Sequence, residues 1–239
     1  MNNYMSLMTI GCEQLGLDLS EEQKRQFDKY LQLLLEWNEK FNLTAIREPD
    51  KIVVNHFLDS LSVLQAGLIK DGMSLLDIGT GAGFPAIPLK IAMPTLDITL
   101  VDSVNKKVVF LNELIKVLGL KDTIALHGRA EDLARRSDMR QSYDIVVARA
   151  VAQLRILLEY TIPFVRAGGF SIYNKGPGVE AELEDSQGAA NILGGGEPRH
   201  IEAFVPFSDR THNLVIIEKA RQTPNKYPRS PGQPKKSPL

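Results

Sequence analysis

The sequence predicts an α/β fold with a mostly parallel sheet that ends in an antiparallel hairpin. Three observations favour this class. From residue 73 onward, short apolar runs alternate with helix-like stretches, which is typical of a doubly wound sheet. A glycine-rich turn follows the first apolar run. Near residue 210, two apolar segments flank a polar turn, as the strands of a hairpin do.

The composition limits the class of protein. The chain has 239 residues, of which 44% are hydrophobic and 24% charged, and its formal net charge is −1. These values exclude a wholly disordered chain and a uniformly basic nucleic-acid binder, but they allow a local basic patch. The one cysteine, Cys12, and the wide spacing of the four histidines exclude the common zinc motifs, so we expect no metal.

Neither a secretion signal nor a membrane span is predicted. Residues 1–12 contain no Lys or Arg and only a short apolar stretch, which makes a poor signal peptide. No uncharged apolar run reaches the length of a membrane-spanning helix. The sequence therefore predicts a soluble, cytoplasmic protein without a membrane partner, and we expect a monomer.

The first segment, residues 1–66, is predicted to be a helical N-terminal extension. Ser20 and Gln23 form a capping-box pattern at the start of an amphipathic helix over residues 20–39. A second helix is predicted through His56 and the apolar residues after it. A histidine in this setting is more typical of a hydrogen-bonded packing residue than of a catalytic one.

The second segment, residues 67–218, is predicted to form the α/β domain. Its short apolar runs are typical of buried parallel strands. The predicted strands are 74–78, 98–101, 123–126, 143–148 and 170–173. The predicted helices are 85–92, 104–118, 130–136, 153–164 and 179–193, and the hairpin strands are 201–206 and 212–217.

The glycine-rich turn is the strongest local signal. Asp77, at the end of the first strand, is followed by Gly79, Gly81 and Gly83. Glycines are needed where the chain turns sharply and a ligand approaches the backbone closely. Pro85 suits the first turn of the next helix, whose free N–H groups can hold a carboxylate or phosphate.

A second signal indicates which ligand binds there. Asp102 ends the next strand, where an acid can accept hydrogen bonds from the ribose hydroxyls of an adenosine-containing cofactor. Dinucleotide sites have the spacing G-x-G-x-x-G, but here the third glycine comes one position early and Phe84 takes its place. The pattern D-x-G-x-G-x-G instead resembles the first motif of S-adenosylmethionine-dependent methyltransferases. A nicotinamide-dependent dehydrogenase is the main enzymatic alternative.

The chemistry that the sequence lacks narrows the methyl acceptor. Methyl transfer requires the donor and acceptor to be aligned. The chemical nature of the acceptor decides which additional catalytic side chains the enzyme needs. Cys12 lies far from the cofactor motif, which disfavours attack on carbon-5 of a pyrimidine, and residues 148–151 lack the D/N-P-P-Y/F motif used for exocyclic amines. A ring nitrogen such as guanine nitrogen-7 needs no general base. The absences fit such an acceptor, and no catalytic residue is assigned.

Other strand ends offer further candidates. Backbone atoms of Ala130 and Glu131, after the third strand, can contact an adenine, although an ordinary helix start is an equal alternative. Arg149 and Lys175 follow the fourth and fifth strands at the ligand-facing edge of the sheet. Lys175 can meet a phosphate or a base, and the alternative for Arg149 is a surface salt bridge.

The last segment, residues 219–239, is a basic, proline-rich tail. It holds six basic and no acidic side chains together with five prolines, so in isolation it is predicted to be extended or disordered. One interpretation is a solubilising tail, and the other is an arm that follows RNA phosphates. The charges of that arm are Lys226, Arg229, Lys235 and Lys236, with Tyr227 as a stacking group.

Several segments together resemble one family, the bacterial guanine nitrogen-7 methyltransferases of small-subunit ribosomal RNA, called RsmG or GidB. The glycine turn alone indicates only the superfamily, whereas the other segments are more specific. They are W-N-x-x-x-N-L-T at 37–44, H-F-L-D-S at 56–60, V-D-S-V-N-K-K-V-V-F-L at 101–111, G-R-A-E-D at 128–132, A-R-A-V-A at 148–152 and the tail from 226.

The resemblance implies a Rossmann-like class I methyltransferase fold that uses S-adenosyl-L-methionine. It implies that the acceptor is a guanosine in the 530 loop of 16S rRNA, at position 527 in conventional rRNA numbering, and that the partner is 16S rRNA or the small ribosomal subunit. The positions that match the family's cofactor contacts are Gly79, Phe84, Ala130, Glu131 and Arg149. Arg149 and Lys175 are also candidate RNA contacts, together with the four basic residues of the tail.

Two alternatives remain open at this point. The first alternative is a methyltransferase for another RNA or for a small molecule. A small-molecule enzyme would share the donor site but need no basic tail. The second alternative is a non-catalytic RNA-binding protein of ribosome assembly, which would not need Asp77, the three glycines and Asp102 in register.

Overall fold

The structure is a computed structural model that describes residues 3–149 and 152–239. Seven strands form one sheet in the order β3-β2-β1-β4-β5-β7-β6. The strands are β1 (Ser74–Ile78), β2 (Asp97–Asp102), β3 (Thr123–His127), β4 (Tyr143–Arg149), β5 (Val165–Lys175), β6 (Arg199–Ala203) and β7 (His212–Glu218). The first five are parallel and β7 is antiparallel to both β5 and β6, which confirms the predicted fold class.

Helices cover both faces of the sheet and precede it in the chain. The helices before the sheet are α1 (Asn3–Gln14), α2 (Glu21–Phe41), α3 (Pro49–Ile52) and α4 (Asp59–Leu61). Those after β1 are α5 (Ala86–Ala92), α6 (Asn105–Leu118), α7 (Ala130–Leu133), α8 (Leu154–Thr161), α9 (Val179–Leu193) and α10 (Gln233–Lys236). Because β2 and β4 lie on opposite sides of β1, the sheet has its topological switch point between β1 and β4.

Several predicted element bounds differ from the structure. Strand β5 is longer than the predicted 170–173, because residues 166–169 are polar or small but still pair through their backbone. Gly168 N donates to Lys219 O at 2.9 Å, and Lys219 N donates to Gly169 O at 2.8 Å. Helix α7 ends at Leu133, not at residue 136, and β6 begins two residues before the predicted 201–206 and ends at Ala203.

Helix α1, within the predicted helical extension, and α10, in the tail, are not individually predicted from the sequence. The signals of α1 are weak. Its twelve residues carry no acid in the first turn and no base in the last, so the charge signals of a helix are absent. It buries Tyr4, Met8 and Cys12 against the rest of the helical extension. Packing against neighbours rather than local sequence therefore stabilises it.

Helix α2 holds the helical extension on the α/β domain through its polar side chains. The predicted capping box of Ser20 and Gln23 is present. The Gln23 side-chain amide also donates to Ile91 O at 2.8 Å, and the Gln26 amide donates to Leu118 O at 2.9 Å. These carbonyls lie at the C-terminal ends of α5 and α6, where backbone acceptors lack helical partners.

The helical extension and the sheet share one hydrophobic core. Phe27 and Leu34 of α2 belong to the same buried cluster as Leu100, Ile145 and Leu214 of the strands. The predicted division into residues 1–66, 67–218 and 219–239 stays a prediction, and the common core indicates that the first two parts are packed together.

Residues 49–66 form one irregular helical stretch. The predicted helix through His56 is present, but it contains a π-helical turn at Val53–Leu58 between α3 and α4. Such turns insert an extra residue into a helix and are frequent at functional sites. The stretch ends in a 3-10 turn at Ser62–Ala66.

The tail packs on the α/β domain instead of extending into solvent. Arg140 donates to the carbonyls of Thr223 and Tyr227 at 2.9 Å each. The Arg229 guanidinium meets the Glu159 carboxylate, with Nη2 to Oε2 at 2.6 Å. From sequence, the segment in isolation is predicted to be extended or disordered, and the partners that order it lie elsewhere in the chain.

The Arg229 ion pair should contribute strongly to stability. The Glu159 side chain is 1% exposed, so Arg229→Met leaves a buried carboxylate without its cation. We expect the free energy of unfolding in urea to fall by about 3 kcal/mol. Lys226→Met, at an exposed tail position, is the matched control and should change it by less than about 0.5 kcal/mol. Equal losses in the two variants would contradict this account.

Candidate active site

The glycine-rich turn joins β1 to α5 beside the switch point of the sheet. Gly81 has a φ of 64°, and its N–H donates to Asp102 Oδ2 at 3.0 Å. Gly83 has a φ of 101°, and a Cβ there would lie 2.7 Å from Ile87 Cγ1 and 2.9 Å from the Tyr30 hydroxyl. The turn therefore has no room for a side chain at Gly83.

Four of the predicted cofactor contacts line a single cavity of about 210 Å³. They are Gly79, Asp102, Ala130 and Glu131. The cavity lies where β1, β2 and β3 end, which is the ligand-binding edge of an open α/β sheet. Tyr160 on α8 also lines it, and no feature of the sequence marked this residue.

Asp102 is fixed from two sides. Its Oδ2 accepts from Gly81 N and its Oδ1 from Val104 N at 2.9 Å. Lys107 Nζ lies 3.5 Å from Oδ2. Each carboxylate oxygen has more than one acceptor site, so Asp102 can still accept hydrogen bonds from a ligand in the cavity.

The Asp77 side chain is fully buried, and only one of its two carboxylate oxygens has hydrogen-bond partners among the described residues. Its Oδ2 accepts from Thr80 Oγ1 at 2.8 Å and from Ala86 N at 3.2 Å. Its Oδ1 has no partner among the described residues. Burial raises the pKa of Asp77 to about 7, despite these two hydrogen bonds. A buried acceptor without a partner is costly, so Oδ1 is a candidate ligand contact.

Arg149, at the end of β4, is held in a polar cluster. Its Nη1 donates to Asp59 Oδ2 at 2.7 Å and to Asn55 O at 3.2 Å, and its Nη2 lies 3.1 Å from His56 Nδ1. The Arg149 side chain is 15% exposed, so the surface salt bridge considered from sequence becomes a mostly buried one. The guanidinium Cζ is 4.9 Å from the centroid of the Phe84 ring.

Phe84 is buried between two aromatic rings. Its centroid lies 5.4 Å from that of Tyr30 and 4.7 Å from that of His56. The Tyr30 hydroxyl in turn donates to Ala82 O at 2.5 Å. Helix α2 and the π-helical turn therefore position the glycine-rich turn, and Phe84 remains a predicted cofactor contact.

The 37–44 segment, which carries part of the family resemblance, contributes residues to the same site. Asn42 ends α2 in the left-handed conformation, with a φ of 46°. The Asn38 side chain accepts from Thr44 N at 2.9 Å, and Thr44 Oγ1 lies 2.7 Å from His56 Nε2. Burial and the Arg149 guanidinium lower the pKa of His56 to about 4, so this imidazole is neutral near pH 7. This agrees with the packing role predicted for His56.

Asp59 and His212 are site residues that the sequence analysis did not assign. His212 Nδ1 donates to Asp59 Oδ1 at 3.0 Å, opposite the Arg149 contact. Burial raises the pKa of Asp59, but the His212 hydrogen bond and the Arg149 cation outweigh it and hold the pKa below its usual value. An acid inside the apolar helix H-F-L-D-S was the available signal for Asp59. The order of the strands, which brings His212 to this edge, cannot be read locally.

Lys175 lies outside this cluster. Its Nζ donates to Glu182 Oε2 at 2.7 Å and to Ala152 O at 3.1 Å. The same Glu182 oxygen accepts from Leu154 N at the start of α8. Lys175 therefore joins β5 to α8 and α9, and its ammonium group is already paired with Glu182. Its role as an RNA contact stays a prediction. Neighbouring Asn174 has a buried Oδ1 without a partner in the described part of the chain.

The tail reaches the cofactor cavity through its backbone. Gly232 N donates to Glu131 Oε1 at 3.1 Å, just before α10. Lys235 and Lys236 on α10 are exposed, and so is Lys226. Tyr227 is 8% exposed and lies beneath the Lys226 ammonium, so its ring is not available for the stacking role considered from sequence. The Arg229 charge is taken up by Glu159.

Within residues 3–149 and 152–239, no group of three or more His, Cys, Asp or Glu side chains is placed to hold a metal ion. No helix in the same residues has the length and apolar character needed to cross a membrane. Ala150 and Val151 of the A-R-A-V-A segment lie outside the described residues.

Several solved structures have a similar fold. A putative S-adenosyl-L-methionine-dependent methyltransferase from Methanococcus maripaludis has a TM-score of 0.55 at 15% identity, over 80% of this chain and 93% of that one. TrmN from Thermus thermophilus has a TM-score of 0.53 at 17% identity, over 70% and 53%. TYW2 from M. jannaschii, solved in complex with AdoMet, has a TM-score of 0.52 at 17% identity, over 68% and 76%. These likenesses establish the Rossmann-like methyltransferase fold.

Sequence relatives are closer. The "Ribosomal RNA small subunit methyltransferase G" of Alkaliphilus metalliredigens (strain QYMF) is 50% identical over 98% of each chain. The protein of the same name from Thermoanaerobacter sp. (strain X514) is 47% identical over 100% of this chain and 99% of its own. The family model GidB, described as rRNA small subunit methyltransferase G, matches residues 23–210. The chain therefore belongs to the rRNA small subunit methyltransferase G family.

Proposed function

We propose that the protein transfers a methyl group from S-adenosyl-L-methionine to nitrogen-7 of the guanosine at position 527, in the 530 loop of 16S rRNA. The observation that carries the proposal is the cavity at the ends of β1, β2 and β3, which Gly79 of the glycine-rich turn and Asp102 line together. The unpartnered Asp77 oxygen lies in β1, two residues before Gly79. The names of the relatives support ribosomal RNA as the acceptor. Cytoplasmic location and a monomeric state stay predictions.

The residues present fit the cofactor. Asp102 has acceptor capacity for ribose hydroxyls. Ala130 and Glu131 line the cavity at the start of α7, where backbone N–H groups lack helical partners and are available to an adenine. The buried Asp77 Oδ1 suits the ammonium group of the methionine part. The Arg149 guanidinium has five N–H groups, of which three have partners in the described part of the chain. The other two have none there and are proposed to meet a carboxylate or a phosphate.

Methyl transfer to a ring nitrogen requires the protein mainly to position the donor and the acceptor. The cofactor supplies a methyl group on a positively charged sulfur. Guanine nitrogen-7 presents its own lone pair, so no side chain has to remove a proton before transfer. The titratable groups agree with this, because burial and Glu13 raise the pKa of Cys12 to about 12, and burial together with the Arg149 cation lowers the pKa of His56 to about 4. The fixed cluster around Arg149 instead aligns the acceptor, which supplies much of the rate.

The first test is methyl transfer from labelled S-adenosylmethionine to unmodified 16S rRNA, with the product nucleoside mapped by mass and position. We expect 7-methylguanosine at position 527. Transfer to another atom or another nucleotide would contradict the proposed acceptor. Cofactor binding without transfer to rRNA or to ribosomal subunit intermediates would indicate a different acceptor class, and loss of both would favour the non-catalytic alternative.

The affinity for S-adenosylmethionine should depend on pH through Asp77. Its pKa of about 7 means that the carboxylate needed for an ammonium group is protonated below that pH. Affinity should therefore rise with pH up to about 7, by at most about tenfold per pH unit. Asp77→Asn should weaken binding and flatten this dependence, whereas Asp97→Asn, at the exposed start of β2, should not. Titration calorimetry from pH 5.5 to 7.5 measures it. An unchanged slope in the Asp77 variant would exclude this role.

The exposed lysines of the tail should contribute to RNA affinity but not to cofactor affinity. The double variant Lys235→Gln with Lys236→Gln removes two charges and keeps the Arg229 ion pair. Truncation of the whole tail would remove that ion pair as well. We expect weaker rRNA binding and a salt dependence whose slope, log K against log salt, is smaller by about 1.5. Lys116→Gln with Lys121→Gln, exposed near the opposite edge of the sheet, is the matched control. Identical salt slopes for the two double variants would exclude the tail as an RNA contact.

A further inference from the structure

The loop between β6 and β7, residues 204–211, carries two phenylalanine rings on the surface. Phe204 is 54% exposed and Phe207 is 45% exposed. In the described residues, every other Phe, Tyr and Trp side chain is buried or half-buried. Apolar surface is driven out of water, and large exposed apolar groups placed together mark interaction sites. We name residues 204–211 the aromatic loop.

The aromatic loop is held in one conformation. The Gln65 side chain donates to Phe204 O at 2.7 Å and accepts from Phe204 N at 3.1 Å. Val205 is buried, and its carbonyl accepts from Ser208 N at 3.1 Å. Phe207 between them has a φ of 62°, which side-chain-bearing residues rarely adopt. The rings are therefore presented by a fixed backbone.

The aromatic loop lies at the edge of the sheet that holds the site. Strand β7 is antiparallel to β5 and begins opposite its end, with Asn213 paired to Lys175. Ser208 Oγ lies 2.9 Å from His212 Nε2, and His212 Nδ1 donates to Asp59, which pairs with Arg149. A continuous chain of contacts thus runs from the aromatic loop to Arg149 and Phe84.

An RNA acceptor supplies the surface that such rings match. The major groove of an A-form helix, where guanine nitrogen-7 lies, is deep and narrow and closed to side chains. The acceptor base must therefore be presented unstacked, and this leaves flat apolar faces on neighbouring bases. The aromatic loop carries one acid and one base, Asp209 and Arg210, so its own net charge gives it no general attraction for phosphates.

We propose that Phe204 and Phe207 stack on unpaired bases next to the acceptor nucleotide of the rRNA. Base stacking on exposed aromatic rings is how single-stranded RNA is bound without regard to sequence. The aromatic loop then orders the RNA beside the site, while the lysines of the tail hold phosphates. The inference rests on the proposed RNA substrate.

The test compares three paired substitutions at both positions, to Ala, to Leu and to Tyr. Binding of unmodified 16S rRNA and KM for its methylation are measured, together with cofactor affinity and stability in urea. Ile124→Ala is the matched control, since Ile124 is 53% exposed on β3 near the opposite edge of the sheet. For the Ala pair we expect rRNA binding that is weaker by about tenfold or more for each ring, with unchanged cofactor affinity.

The Leu pair should behave like the Ala pair, and the Tyr pair like the original protein, because only an aromatic face stacks. Wild-type affinity in the Ala pair would overturn the proposal. Wild-type affinity in the Leu pair, or a defect seen only on protein-containing subunits, would also overturn it and would indicate docking on a ribosomal protein. Since binding is measured directly, rRNA that binds but receives no methyl group would contradict the proposed function and leave this test intact.

Discussion

The ion pair between Asp59 and Arg149 connects the three parts of the molecule that meet at the site. Asp59 belongs to the helical extension, Arg149 ends a central strand, and His212, which also holds Asp59, begins the last strand of the sheet. Two charges buried together are stable only when their partners and hydrogen bonds are all in place. The position of Arg149 over Phe84, and through it the glycine-rich turn, therefore depends on the helical extension being docked.

A second set of interactions joins the tail to the cofactor cavity. Glu131 lines the cavity and also accepts from Gly232, and Glu159 on α8 holds Arg229. The two acids contact the tail at residues 229 and 232, so that α10 and its exposed lysines have a defined place beside the cavity. The positive charges of the tail therefore differ in their surroundings. Arg229 stabilises the fold, while Lys235 and Lys236 remain open to a partner.

Local patterns were enough to predict the fold class and the meeting of Asp102 with the glycine-rich turn. The glycines and Asp102 are separated by two elements of the chain, but parallel pairing brings strand ends together, so their meeting follows from the fold class. Asp59, His212 and Tyr160 could not be assigned in this way, because distant contacts bring them to the site. The packed tail illustrates the same limit, since Glu159 and Arg140, which order it, lie about 70 to 85 residues earlier. Lys175 looked available at a strand end, but its partner Glu182 comes from the next helix.

The side-chain caps that α2 places on α5 and α6 also bear on how the chain folds. Gln23 and Gln26 reach carbonyls that lie 68 and 92 residues away in sequence. Such contacts require long loops to close before any hydrogen bond is gained, and they slow folding. Helix α2 cannot gain these contacts until the sheet and its helices exist, and the glycine-rich turn lacks the Tyr30 hydrogen bond until α2 docks. The cofactor turn should consequently be completed late in folding, in the same cooperative step that attaches the helical extension.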